Sequence, residues 1–258
     1  MPTLFEEIWN RRSLIILLAV NDVKTRYRNS VLGFFWSFLE PLLMLGVLYL
    51  VFTNIFKNSI ENYPIYLLLG LIIWYMFSRA TSMGQMSLLS KAGIIQKVNL
   101  RKELIVLSSC LASLIMMCFE FIAFTFFALV FHFIPASTIL MLPLLILDLF
   151  VFCFGISLIL SVLTVYFGDI KFIWHVALQV GFFTTPIFYQ LEVFPESIKQ
   201  MLQLNPMASV VDTAHKIVIY GTLPTLEESM HIVISTLVIF LIGYAIFRLK
   251  DKRLVEKI

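Results

Sequence analysis

The sequence predicts an all-α integral membrane protein with six transmembrane helices, on three observations. Hydrophobic residues make up 60% of the chain and charged residues 14%, against roughly a quarter charged in an ordinary soluble domain. Mean hydropathy is +0.94, which is more apolar surface than a soluble core hides, so the bilayer is the expected solvent. Six apolar runs, at 31–56, 64–88, 103–131, 139–166, 171–190 and 230–248, are each near or above the ~20 residues that a hydrocarbon core requires. The third observation is the placement of charge. All but four of the 19 Lys and Arg lie on one side of this arrangement. Lys57, Lys199 and Lys216 fall on the other side, and Arg79 falls within a span. By the positive-inside rule this places both termini in the cytoplasm, in a multi-pass protein of the cytoplasmic (inner) membrane.

Two segments lie outside the spans. In residues 3–28, Phe5, Ile8, Trp9, Ile15, Ile16 and Ala19 recur at helical spacing, with most charges on other faces. This predicts an N-terminal amphipathic helix in the cytoplasmic interface. Residues 191–229 form the longest connection. A helix is expected after Pro195, ending before Asn205-Pro206 because proline disfavours helix in the residue before it. A second is expected from Met207 to Tyr220, with Gly221 as its C-terminal cap. Together, 192–221 reads either as short re-entrant helices at the outer mouth or as an extracellular loop. No internal repeat or low-complexity tract breaks the chain, which reads as one membrane domain over 1–258.

Composition and motifs exclude several classes. The net charge of +3 is small and no basic stripe runs along a polar helix, so nucleic acid is not an expected partner. Cys110, Cys118 and Cys153 lie in apolar runs without metal-ligand spacing, and the four histidines are scattered. No small-residue cleavage site follows the short apolar run 14–20. The chain has no phosphate-binding G-x-x-x-x-G-K-[ST], no H-E-x-x-H and no G-x-S-x-G. It is therefore read as a non-enzyme that binds no cofactor of its own; if transport is powered by ATP, a separate subunit must hold the ATP and Mg.

Ionisable residues inside spans carry the most information. Glu40 and Arg79 each lie about nine residues from the cytoplasmic end of consecutive antiparallel spans, roughly 13–14 Å deep. They are expected to form a buried ion pair that fixes register. Glu120 and Asp148 lie in the outer halves of their spans without an evident cation. In the first span Phe34, Phe38, Leu45, Tyr49, Phe52 and Phe56 keep helical intervals. They read as packing aromatics or as a lane whose ring faces stack weakly on passing sugars. In the fifth span His175, Gln179, Phe183, Pro186 and Gln190 form a polar face that lines a pathway or bonds to a neighbouring helix. Tyr49, Trp74 and Gln179 are the residues to test for a pathway role. The cytoplasmic connections 91–103 and 166–174 read as positive-inside loops or as partner contacts.

These residues assemble into a recognisable order. K-x-R-Y-x-x-S-x-L-G-x-x-W-x-x-x-x-P runs from Lys24 through Arg26, Tyr27, Ser30, Leu32, Gly33 and Trp36 to Pro41. T-P-I-x-Y follows at Thr185–Tyr189, then N-P-M at Asn205–Met207. The pattern resembles the permease subunit of type-2 ABC exporters that move lipid-linked polysaccharides, among them O-antigens, teichoic acids and capsules. The resemblance covers nearly the whole chain. It implies a homodimer with two ABC ATPase subunits beneath it, and a path between the permeases lined by Phe34, Phe38, Tyr49, Phe52, Trp74, Gln179 and Phe183. It implies ATPase contacts at Lys91, Gln96, Lys97, Arg101 and Asp169, and gating of the outer mouth by 194–220. Lys24, Arg26 and Arg28 would meet anionic membrane headgroups or the carrier lipid's pyrophosphate. Relatives often carry Arg where this chain has Gly168, which leaves the second ATPase contact less defined. The alternative readings are a type-2 exporter of drugs or lipids, a membrane-embedded glycan or lipid enzyme, and a non-transporting scaffold.

Overall fold

The structure, a computed structural model, describes residues 4–56, 60, 62–97 and 100–254. Every regular element among them is helical. Thr3, Lys57, residues 98–99 of the 91–103 connection, and the side chains of Phe5 and Phe56 lie outside the described residues. The helices are α1 (Leu4–Asn10), α2 (Arg12–Arg26), α3 (Trp36–Phe56), α4 (Tyr63–Ser90), α5 (Ala92–Lys97), α6 (Lys102–Val130), α7 (Leu142–Tyr166), α8 (Ile170–Thr184), α9 (Glu196–Gln203), α10 (Pro206–His215) and α11 (Leu226–Leu254). Among the described residues five helices are long and apolar enough to cross a membrane: α3, α4, α6, α7 and α11. The fifth expected run, 171–190, is a helix only to Thr184, which makes it the shorter apolar helix α8. Pro186 explains the stop: Thr185 is extended, at φ −102° and ψ 135°, as a residue preceding proline prefers.

α4 is the hub. Its apolar window is 83% buried, and it packs on α3, α6, α7, α8 and α10. α7 crosses α11 closely through facing glycines. A Cβ on Gly155 would come within 2.8 Å of the Phe240 backbone, and one on Gly243 would overlap the Gly155 carbonyl.

At the end of the bundle that carries most of the basic residues, the N-terminal element is two helices broken at Arg11. α2 buries Ile15, Leu18, Ala19 and Val23, and Ala19 and Val23 sit with Ala112 and Met116 of α6. Ile15 and Ala19 are buried against the bundle, while Trp9 and Ile16 are 63% and 52% exposed. The element therefore shows one apolar stripe to α6 and leaves a second uncovered. The turn into α3 uses Asn29 and Gly33 at positive φ, with the Ser30 hydroxyl accepting from the Gly33 N–H at 3.2 Å. Ser30 and Gly33 of the first motif are thus turn residues.

The opposite end closes around non-helical backbone. Residues 185–189 are buried, and two tyrosines from the first turn of α4 satisfy their carbonyls. The Tyr63 hydroxyl donates to Phe188 O at 2.9 Å, and the Tyr66 hydroxyl to Tyr189 O at 2.7 Å. Asn205 accepts from the Met207 N–H at 3.1 Å to cap α10, and donates to the Thr185 hydroxyl at 3.3 Å. T-P-I-x-Y and N-P-M therefore meet. α9 and α10 form where two short helices are expected, and Gly221 follows at φ +66°. His215 at the end of α10 stacks on Tyr66 with ring centroids 3.6 Å apart, and its Nε2 lies 3.0 Å from Tyr66 O. Facing a carbonyl, Nε2 carries the hydrogen.

Two predictions follow from this packing. Gly243→Ala must push α11 off α7, a cost of about 1–3 kcal/mol for overpacking. Its melting temperature in detergent should fall well below wild type, while Gly46→Ala, which meets nothing within 4 Å, should leave it unchanged. Burial pushes the His215 imidazole down to about 3, against the bond to Tyr66 O. An unfolded imidazole protonates near ~6.5. Between those values the unfolded chain binds more protons, so stability falls as pH drops below ~6.5. Melting temperatures measured across this range should fall less steeply for His215→Phe than for wild type.

Candidate functional site

Two adjoining cavities of about 650 and 640 Å³ form one groove along α2, α3, α4 and α8. They share Arg26, Glu40, Met44 and Tyr75. Tyr27, Ser30, Trp36, Leu43 and Val47 complete the first. Trp74, Ser78, Arg79, Ser82, His175, Leu178, Gln179, Phe182 and Phe183 complete the second. The sequence builds the α4 wall by spacing: Trp74, Ser78 and Ser82 recur every four residues, which stacks them on one face. α8 stands against that wall through two contacts. Gly181 lets the Trp74 ring approach so closely that a Cβ would lie 2.8 Å from it. Trp174 Nε1 donates to the Thr81 hydroxyl at 3.1 Å. The face of α8 away from the groove is uncovered, with Phe172, Ile173, Val176 and Val180 all exposed.

The buried ion pair is not Glu40 with Arg79. Arg79 makes a bidentate pair with Glu120: its NH2 lies 2.7 Å from Oε2, and its NH1 bonds Oε1. The two side chains are 5% and 0% exposed. Counting depth from estimated span ends missed the stagger of α6. Lys91 Nζ bonds Ser108 and Ser109 at 3.1 and 2.9 Å, so the start of α6 overhangs α4. From that level Arg79 is twelve residues back and Glu120 is eleven residues beyond Ser109, which is nearly equal depth. Glu40 remains half-buried in the groove wall. Asp148 accepts from the Thr236 hydroxyl at 2.8 Å, between α7 and α11.

Of the residues expected along a path, Trp74, Gln179 and Phe183 line the groove. Trp74 is only 5% exposed, and Gln179 bonds His175 at 3.2 Å. Phe34, Phe38, Tyr49 and Phe52 do not line it. Phe34 packs edge-on against Tyr27 and Phe119, with Phe38 against it. Tyr49 lies beside Tyr63, and Phe52 stacks on Phe188 at 4.6 Å. Tyr75, Ser78 and Ser82 were missed, although the four-residue recurrence on α4 was readable.

Lys24, Arg26 and Arg28 are all exposed, and only Arg26 enters the groove. At the expected ATPase contacts, Gln96, Lys97 and Asp169 are exposed. Lys91 is not available: it is buried, with Nζ 2.6 Å from Asp22 Oδ2. Burial pushes its ammonium below the ordinary lysine value, against the hold of Asp22. Arg101 is 17% exposed and engaged with Glu7 at 3.3 Å and Glu103 at 3.1 Å. Lys102–Asp251 at 2.5 Å and Arg248–Glu103 at 3.5 Å tie the end of α11 to the same place.

Fold and groove define a multi-pass membrane protein with a polar and aromatic cavity wall between its helices. Residues 13–219 match the family described as ABC-2 type transporter. The chain belongs to that family. It is 27% identical to the O-antigen export system permease protein RfbA of Klebsiella pneumoniae over 94% of each chain. It is 27% identical to the protein of that name from Myxococcus xanthus over 100% of each. The polysialic acid transport protein KpsM of Escherichia coli is 23% identical over 91% of this chain and 92% of its own length.

The two possible pairings of Arg79 are separable. Removing one member of a buried pair costs about 3–5 kcal/mol. Glu120→Gln should therefore unfold at a much lower temperature than wild type, and Glu40→Gln should not. A large loss in Glu40→Gln and none in Glu120→Gln would reverse the assignment.

Proposed function

We infer that the chain is the permease subunit of an ATP-driven exporter that moves lipid-linked polysaccharide across the cytoplasmic membrane. The observation that carries the reading is the groove: aromatic rings, serine hydroxyls and the Gln179 amide line it together with aliphatic side chains, on helices that leave their outer faces uncovered. Neutral rings with hydroxyls suit a sugar polymer, and weak, repeated contacts let a conducted substrate leave as well as enter. Family membership and relatives named for O-antigen, polysialic acid and capsule export support it.

In this reading α8 and the irregular backbone to Gln190 together form a sixth crossing. Both termini are cytoplasmic, and α9 and α10 form a re-entrant gate at the outer mouth. Two copies face each other across their grooves, with the whole of 1–258 as one domain in each. Two ABC ATPase subunits, holding ATP and Mg, dock on the cytoplasmic face. Gln96 and Lys97 of α5 and Asp169 before α8 are the exposed residues placed to meet them. Phe34, Phe38, Tyr49 and Phe52 join the path where the second copy extends it.

The test is co-purification with the ATPase encoded beside this chain and measurement of ATP hydrolysis in lipid, with and without a lipid-linked glycan. A stable complex whose hydrolysis responds to the glycan is expected. Lys97→Glu should weaken ATPase association about tenfold, the scale of a misplaced charge at an interface. Absence of a complex and of any glycan response would sink the reading.

A further inference from the structure

A separate cavity of about 480 Å³ lies at the end of the bundle opposite the basic residues, between α9, α10 and the start of α11. It shares no lining residue with the groove, and its size falls within that of small-ligand sites, roughly 300–1,000 Å³. Two of its walls are braced against each other. Lys216, just past α10, reaches Asp212 at 2.9 Å and Glu228 of α11 at 2.6 Å. The Ser209 hydroxyl lies 3.3 Å from His231 Nδ1. Thr225 and Glu228 bond reciprocally at 3.0 and 3.2 Å and cap the start of α11, in the manner of a capping box. The third wall comes from α9, whose Gln200 and Gln203 are three residues apart and so share a face.

Several polar groups on these walls are unused. Gln200, Gln203 and Glu227 make no side-chain hydrogen bond or ion pair among the described residues. Thr213 is the sharper case. It is 3% exposed, it lines the cavity, and its hydroxyl has no partner among the described residues. A buried hydroxyl is ordinarily bonded, so this one is open to a molecule in the cavity. Charge decides which molecule. Asp212, Glu227 and Glu228 bring three carboxylates to the cavity, against the one ammonium of Lys216, which two of them already hold. Lys199 of α9 pairs with Glu196 instead. An acidic sugar or a phosphate would meet like charge, which suppresses wrong partners. An uncharged sugar meets none. Each of its hydroxyls both donates and accepts, so it can donate to the Glu227 carboxylate and accept from the Gln200 or Gln203 amide. Leu191 and Leu204 add apolar surface for the C–H face of the ring.

Resting on the reading of the cargo as a glycan, we propose that this cavity is a binding site for an uncharged, hydroxyl-rich sugar unit at the outer mouth, and that it discriminates against acidic glycans. Gln200, Gln203, Thr213 and Glu227 contact the sugar. Asp212, Lys216 and Glu228 are positioning residues that hold α10 to α11.

The experiment uses the chain with its ATPase partner in nanodiscs of zwitterionic lipid, and reads affinity by saturation-transfer NMR. The probes are neutral tetrasaccharides of gluco, galacto and manno configuration, the tetramer of galacturonic acid, and the fully deacetylated chitosan tetramer. At least one neutral tetrasaccharide should bind about tenfold tighter than the galacturonate, the scale of one like charge at an interface. Gln200→Leu combined with Gln203→Leu should weaken that binding about tenfold, as expected for two lost hydrogen bonds. Gln179→Leu, in the groove, should leave it unchanged. Glu227→Gln should raise galacturonate affinity about threefold, since an exposed charge is partly screened. These side chains hold no partner in the fold, so the variants should melt with wild type. Binding of no neutral tetrasaccharide overturns the proposal, as does galacturonate binding equally or more tightly. Chitosan binding tighter than every neutral probe overturns the assignment to an uncharged sugar. Loss of binding in Gln179→Leu but not in the double variant places the sugar in the groove and also overturns it. ATP hydrolysis with and without a lipid-linked glycan is read in the same preparation. A glycan response without tetrasaccharide binding sinks this inference and leaves the exporter reading. Tetrasaccharide binding that the double variant loses, without any glycan response, does the reverse.

Discussion

The register of α4 on α6 is the constraint from which the rest of the bundle follows. It is set at two levels. At the basic end, Lys91 is gripped by Asp22, Ser108 and Ser109. Near mid-depth, Arg79 meets Glu120. A buried ion pair is weak evidence for stability, because desolvation offsets most of the attraction. Its value lies in the alternatives it excludes. Sliding α4 by one turn, about 5.4 Å, would leave two charges uncompensated inside the protein. Because α4 also carries Trp74, Ser78 and Ser82 on one face and Tyr63 and Tyr66 at its start, one register places both the groove wall and the tyrosines of the opposite end.

That opposite end shows how irregular backbone is tolerated near membrane depth: every freed polar group must be covered by protein or by a wet cavity. The tyrosine hydroxyls from α4 cover the carbonyls of Phe188 and Tyr189, and Asn205 ties Thr185 to the start of α10. Gly70 permits the approach, since a Cβ there would come 3.1 Å from Ile187 O. T-P-I-x-Y and N-P-M, which look like separate short motifs, are two sides of one junction. Their work in the chain is structural, and it holds α9 and α10 against the hub.

Apolar run length and period carried most of the fold. The bounds of α4, α6 and α7 fall within a few residues of the expected spans, and Pro195, Asn205-Pro206 and Gly221 marked the short helices. α8 fell short because a run of apolar residues does not reveal that Thr185-Pro186 stops the helix while the chain stays buried. The ion pair was misassigned for a different reason. Depth counted along single helices ignores stagger, and the stagger here is set by side chains more than fifteen residues apart in sequence, Lys91 with Ser108 and Ser109. Lys91 itself read as a loop cation, solvated or in contact with a partner ATPase, because nothing local announces Asp22 as its partner. The groove was half legible. Gln179 and Phe183 share a readable face, whereas Phe34 and Phe38 keep the same periodicity, and Phe34 packs against Tyr27 and Phe119 with Phe38 against Phe34. Periodicity identifies a face and is silent about what that face meets.

The charges around the groove make physical sense as a set. Arg26, Glu40 and Arg79 line it, and Glu120 stands behind Arg79, so the four formal charges cancel. A groove with strong net charge would trap an oppositely charged group or exclude a like one. A groove with none would offer a hydrated polymer no reason to enter. Cancelling charges at different depths leave local fields without a net well. Between them, Trp74, Tyr75 and Phe183 offer ring faces, and Ser78, Ser82 and Gln179 offer hydrogen bonds that no single sugar need match. Such a wall suits passage better than storage, and α3, α4 and α8 share it, with the register of α4 locked against α6.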